Sequence, residues 1–204
     1  MPADLAVIGL GHLGLPLAQA AVTAGIDTVG YDPDPRPYAE LRAGRSPVEG
    51  ALTASEVRRM LSGGFRPTTD AAELGRVRTA VICSPTPLGP DRAVDLTALG
   101  DAARALASRL RPHTTVLLES AVPPGTTETF LRPLLEEGSG LVAGRDFHLA
   151  CSPAGSTPAT APVPWPTRPR SSAASPPPAP SRPPPSTDGS PTRSYGPADR
   201  ARRR

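Results

Sequence analysis

Gly9, Gly11 and Gly14 form the pattern Gly-x-Gly-x-x-Gly, and Asp32 follows Gly14 by 18 residues. These residue types at this spacing suit recognition of a dinucleotide. Gly9 permits a tight turn, Gly11 lets the backbone approach a pyrophosphate, and Gly14 allows a helix to pack closely on a strand. The turn also contains His12 and Leu13, and a helix starting there offers N–H groups and a positive dipole end to phosphates. The Asp32 carboxylate can accept from both hydroxyls of a ribose. Its charge repels a 2′-phosphate, so NAD is expected rather than NADP. No catalytic residue and no metal set emerges in the same way. His12 has no second histidine or carboxylate close in sequence to pair with. Cys83 ends an apolar run and reads as core, His113 reads as a loop residue, and no metal-ligand spacing occurs.

The elements that would position these groups follow from the apolar pattern. Leu5–Ile8 is a short apolar run of the kind that forms a buried parallel strand. Leu13, Leu17, Ala20, Ala21 and Ala24 recur at helical spacing until Gly25. Residues 28–31 form a second strand with Asp32 at its end. Thr53 and Glu56 make a capping box for a helix to Leu61. Strands are expected at 79–83, 114–118 and 146–151, and helices at 96–110 and 128–137. Alternating strands and helices predict an α/β fold, a doubly wound parallel sheet of the Rossmann type. In such sheets ligands lie beyond the strand C termini, which would bring the loops at Ser84–Pro87 and Glu119–Thr127 to the cofactor. Rigid turn chemistry accounts for these proline-rich loops equally well.

Composition divides the chain. Of 29 prolines, 15 fall at or after Pro153, and no Leu, Ile, Met or Phe follows Leu149. A segment so poor in apolar side chains cannot offset its ordering entropy, so residues 154–204 are expected to be a disordered Pro/Arg-rich tail. Residues 1–153 carry 14 Arg and 17 acids, a net of −3; residues 154–204 carry 8 Arg and 2 Asp, a net of +6. The basic character thus belongs to the tail, and nucleic-acid binding by the folded part is not expected. All 22 basic residues are Arg, as a GC-rich genome would give. Two cysteines make no disulfide framework, and no apolar run reaches membrane-spanning length. The first apolar stretch lacks a basic leader, so a cytoplasmic location is expected.

Several stretches in order resemble the UDP-glucose/GDP-mannose dehydrogenase family over residues 1–153, about three quarters of the chain. They are Val7 through Ala18, Pro85-Thr86-Pro87-Leu88, Leu118 through Thr127 and Asp146 through Pro153. The last two are most similar to the UDP-N-acetylglucosamine and UDP-N-acetylmannosamine 6-dehydrogenase branch. The resemblance implies an NAD-binding N-terminal domain of an enzyme that oxidises the C6 alcohol of a UDP-sugar to a carboxylate in two steps. It implies a cysteine nucleophile, held in a glycine-rich loop of a later region, and a further domain that grips UDP. It also places Thr86, Glu119 and Ser120 near the nicotinamide, with Gly9, Gly11, His12, Leu13, Gly14 and Asp32 along the rest of the cofactor.

The chain departs from that pattern. Ala121 stands where the family carries a Thr, and Ala154-Gly155 follow Ser152-Pro153 where the family continues Glu-Arg. Neither Cys83 nor Cys151 lies in a matching nucleophile motif. Codons for Gly155 to Thr160, read two bases later, can spell Val-Asp-Pro-Gly-Asn, the family's own continuation. The same shift across Trp165 to Ala174 permits Ala-Asn-Thr-Pro-Lys-Val-Val-Gly-Gly, a second family stretch. A frameshift within the codons for Pro153 to Gly155 is therefore expected, leaving a truncated dehydrogenase that binds NAD and is inactive alone. The alternative is a non-catalytic interaction protein that works through the tail, with Pro176–Pro178 and Pro183–Pro185 as polyproline ligands.

Overall fold

The structure is a computed structural model, and it describes residues 3–89 and 93–152. The tail expected over 154–204 lies outside the described residues. Among the described residues six strands form one parallel sheet: β1 (Leu5–Ile8), β2 (Thr28–Tyr31), β3 (Arg66–Thr68), β4 (Thr79–Ile82), β5 (Thr115–Leu118) and β6 (His148–Cys151). Their spatial order is β3-β2-β1-β4-β5-β6, the doubly wound order, with its reversal between β1 and β4. Five α-helices connect them: α1 (Gly14–Thr23), α2 (Pro35–Arg42), α3 (Ala54–Ser62), α4 (Thr97–Ala107) and α5 (Arg132–Ser139). A 3-10 helix at Ala71–Arg76 and a π-helical turn at Thr127–Leu131 complete the set.

Strand alternation separates two cores. Leu5 and Val7 face α1 and α3, where they pack with Leu15, Ala18, Val57 and Met60. Ala6 and Ile8 face α4 and α5, where they pack with Leu99, Ala103, Leu106 and Leu135. Every residue of β1 is buried, as expected of a central parallel strand covered on both faces.

The expected bounds for the first two strands hold, and the capping box forms. Thr53 Oγ1 accepts from the Glu56 N–H at 3.3 Å, and the Thr53 N–H donates to Glu56 Oε2 at 2.7 Å. Other elements differ. The expected helix at 96–110 is shorter, and Asp95 Oδ1 accepts from the Thr97 N–H at its start at 2.9 Å. The helix expected at 128–137 begins as the π-helical turn and runs on to Ser139. β6 begins at His148 rather than Asp146, because the Asp146 carboxylate turns back to accept from the Val142 N–H at 2.8 Å. α2 and β3 have no counterpart among the expected elements.

Candidate functional site

Ladder hydrogen bonds continue one residue past each central strand. The Gly9 N–H donates to Tyr31 O at 2.8 Å, Cys83 N–H to Ile8 O at 2.8 Å, and Glu119 N–H to Ile82 O at 2.9 Å. Asp32, Gly9, Cys83 and Glu119, in that spatial order, are therefore consecutive steps along the C-terminal ends of the strands. At these ends, over the reversal between β1 and β4, lies a cleft of about 580 Å³. Gly9, Gly11, His12, Leu13, Asp32, Thr86 and Ser120 line it together. Gly14 lies beneath the turn, and Glu119 is buried beside the cleft at 1 % exposure without lining it.

The three glycines play separate roles. Gly9 has φ +92°, a left-handed conformation, and a Cβ on it would lie 2.9 Å from Cys83 O. A Cβ on Gly14 would come 1.9 Å from Gly9 O, so α1 can start here only without a side chain. A Cβ on Gly11 meets nothing within 4 Å; its hydrogen faces open space. No side chain caps the N terminus of α1, and its first turn contains no acid. This arrangement fits a pyrophosphate, an anion received by backbone N–H groups and a helix dipole.

Asp32 is tied to that turn. Its Oδ2 accepts from the Leu10 N–H at 2.9 Å and its Oδ1 from the Asp34 N–H at 3.0 Å. One carboxylate thus fixes the glycine turn to the loop after β2 and keeps lone pairs for a ribose. Beside it, burial and then the charges of Asp32 and Asp70 push the Tyr31 phenol up from its ordinary pKa.

On the other side of the reversal, two hydroxyls join the loops after β4 and β5. Ser120 Oγ donates to Ser84 O at 2.8 Å, and Thr86 Oγ1 donates to Ala121 O at 2.6 Å. Sequence reasoning named Thr86 and Ser120 but not these bonds, which span 35 and 36 residues. It also passed over Asp34, which lines the cleft and caps α2 by accepting from the Arg36 N–H at 3.0 Å. The signal for it was present, an Asp immediately followed by a proline at the first helical position. Cys83 is buried in the core as expected, and His113 sits in a loop at φ +68°. Among the described residues no group of three His, Cys, Asp or Glu is placed to hold a metal ion, and no helix is long and apolar enough to cross a membrane.

Comparison with known proteins agrees with this geometry. The profile of the UDP-glucose/GDP-mannose dehydrogenase family, NAD binding domain, matches residues 3–164. The UDP-N-acetyl-D-mannosamine dehydrogenase of Pyrococcus horikoshii is 37 % identical over 150 residues, which are 73 % of this chain and 35 % of that protein. The UDP-N-acetyl-D-glucosamine 6-dehydrogenase of Pseudomonas aeruginosa is 34 % identical over 151 residues, 73 % of this chain and 34 % of its own length. A crystal structure of an NDP-N-acetyl-D-galactosaminuronic acid dehydrogenase from Methanosarcina mazei superposes with a TM-score of 0.69 at 30 % identity, covering 76 % of this chain and 35 % of that one. The chain therefore spans about a third of the length of the curated relatives it matches. With the profile covering most of the sequence and the glycine turn, switch point and acid all in place, the chain belongs to the UDP-glucose/GDP-mannose dehydrogenase family, through its NAD-binding domain.

Proposed function

We propose that residues 1–153 are the cofactor-binding unit of a UDP-sugar 6-dehydrogenase, with a UDP-N-acetylhexosamine as the sugar nucleotide and the cytoplasm as its location. The observation that carries this reading is the cleft over the β1/β4 reversal, where the glycine turn and Asp32 are joined by the Leu10 N–H bond. In this reading Gly9 to Gly14, with the backbone of His12 and Leu13, hold the pyrophosphate. Asp32 accepts from the adenosine ribose. Thr86, Glu119 and Ser120 stand at the nicotinamide end, where the two cross-loop bonds join the loops after β4 and β5. When bound, NAD accepts hydride from the sugar C6. The chain's own part in that step is to bind and orient, because positioning supplies a large share of rate enhancement.

The reading assigns no catalytic residue here. Cys83 lines the cleft but is 5 % exposed and lies just past the end of β4, and Cys151 sits on β6; neither lies in a glycine-rich loop of the kind the resemblance implies for the nucleophile. In this reading the Pro/Arg-rich stretch over residues 154–204 is encoded in a shifted frame. The nucleotide sequence across codons 152 to 156 tests that point, since an intact single frame with no family-like alternative contradicts it. Binding is tested by titrating the chain with NADH and following nicotinamide fluorescence. Saturable one-to-one binding supports the reading, and none refutes it.

A further inference from the structure

Three carboxylates, Asp32, Asp34 and Asp101, line the cleft, and among the described residues no arginine does. One guanidinium stands at its rim all the same. Arg36 lies between Pro35 and Pro37 in the first turn of α2, and Pro37 itself lines the cleft. Its Nε lies 2.7 Å from Asp34 Oδ2 and 3.1 Å from Oδ1. A second guanidinium nitrogen also meets Oδ2. Asp34 holds this cation with one end and, through its own backbone N–H, holds Asp32 with the other.

We propose that Asp34 and Arg36 form a selectivity latch, in which Asp34 occupies the guanidinium that would otherwise receive the 2′-phosphate of NADP beside Asp32. The inference rests on the proposed placement of the adenosine ribose at Asp32. A guanidinium fork matches phosphate geometry well and draws 2′-phosphates when it is free. Here its donors are committed to a carboxylate, and the same carboxylate adds negative charge next to Asp32. The Arg36 side chain is 87 % exposed, so the pair is screened by solvent and little holds it once Asp34 loses its charge. Discrimination against NADP therefore comes from two acids rather than from Asp32 alone.

The test uses the full chain and Asp34→Asn, which removes the charge and keeps a good helix cap. Asp34→Ser caps as well and serves as a second variant. NADH and NADPH affinities are read by nicotinamide fluorescence, with thermal melts to confirm folding. The NADPH-to-NADH affinity ratio should rise about tenfold in either variant, and adding Arg36→Gln should remove the gain. A merely structural role for Asp34 would weaken both dinucleotides together and leave the ratio unmoved. If the unmutated chain binds NADH while neither variant changes the ratio, or if the gain survives Arg36→Gln, the latch is refuted and the proposed function stands. If the unmutated chain binds neither dinucleotide, both fall.

Discussion

A single methyl group separates what Gly11 and Gly14 do. On Gly14 it would strike the carbonyl oxygen of Gly9, at 1.9 Å, and that oxygen belongs to backbone fixed by the β1 ladder. Gly14→Ala should therefore cost folding stability, about 1–3 kcal/mol as for other overpacked sites, read as a lower melting temperature. On Gly11 the methyl meets only open space, so Gly11→Ala should melt within about 1 °C of the parent, since substitutions away from packed features change little. It should nevertheless weaken NADH at least tenfold, about 1.4 kcal/mol, because it fills the space the pyrophosphate needs. If Gly11→Ala binds NADH as the parent does, the phosphates lie elsewhere. Asp32→Ala should weaken NADH too. It also removes the acceptor for the Leu10 N–H, so its effect mixes a lost ribose contact with a loosened turn.

At the scale of elements, the turn before β6 depends on one carboxylate. Asp146 accepts from the Val142 N–H and is gripped by Arg145 at 2.8 and 2.9 Å. The Arg145 contacts first, and then the Val142 N–H, hold its pKa down at about 2 from an ordinary 3.8. A depressed carboxylate pKa stabilises the fold above the unfolded value and loses that contribution as pH falls through the folded one. Asp146→Asn should thus lower the melting temperature at pH 7, and the gap should close between about pH 4 and pH 2. A gap constant across that range would show that Asp146 acts without its charge. At α3, Thr53→Ala removes the capping box and should cost about 1 kcal/mol by denaturant melts. These elements show what the sequence made legible. β1, β2 and the α3 cap are signalled by contiguous residues, so local pattern located them. α2 is punctuated by Pro35 and Pro37 and buries only Leu41, so its apolar period is weak. β3 is three residues long with Pro67 inside it, tolerable because β3 lies at the sheet edge and illegible as a strand for the same reason. In the cleft the glycine turn could be read, being one short run. The bonds from Ser120 to Ser84 O and from Thr86 to Ala121 O could not, because only the parallel pairing of β4 with β5 brings those loops together.

Across the whole molecule, the sheet order gathers the proposed cofactor contacts at the C-terminal ends of the strands, in a cleft whose charged lining residues among those described are the acids Asp32, Asp34 and Asp101. Among the described residues no arginine lines the cleft, so the proposed pyrophosphate site would rely on backbone N–H groups rather than on ion pairs. Raising salt from 50 to 200 mM should change NADH affinity less than about threefold, since an exposed ion pair would be screened and oriented N–H groups are not. A steeper loss would point to an arginine outside the described residues. The 204-residue chain should also produce no NADH when mixed with NAD and UDP-N-acetylglucosamine, UDP-N-acetylmannosamine or UDP-glucose. Steady production dependent on the sugar nucleotide would reveal a catalytic group that the reading lacks. If NAD lies across the β1/β4 reversal with its pyrophosphate on the glycine turn, an NMR titration of backbone amides with NAD should register it residue by residue. The titration should saturate at one to one, with the largest shifts at His12, Leu13, Gly14 and Asp32 and little change along β6. Shifts centred anywhere else, or none at saturating NAD, would contradict that placement.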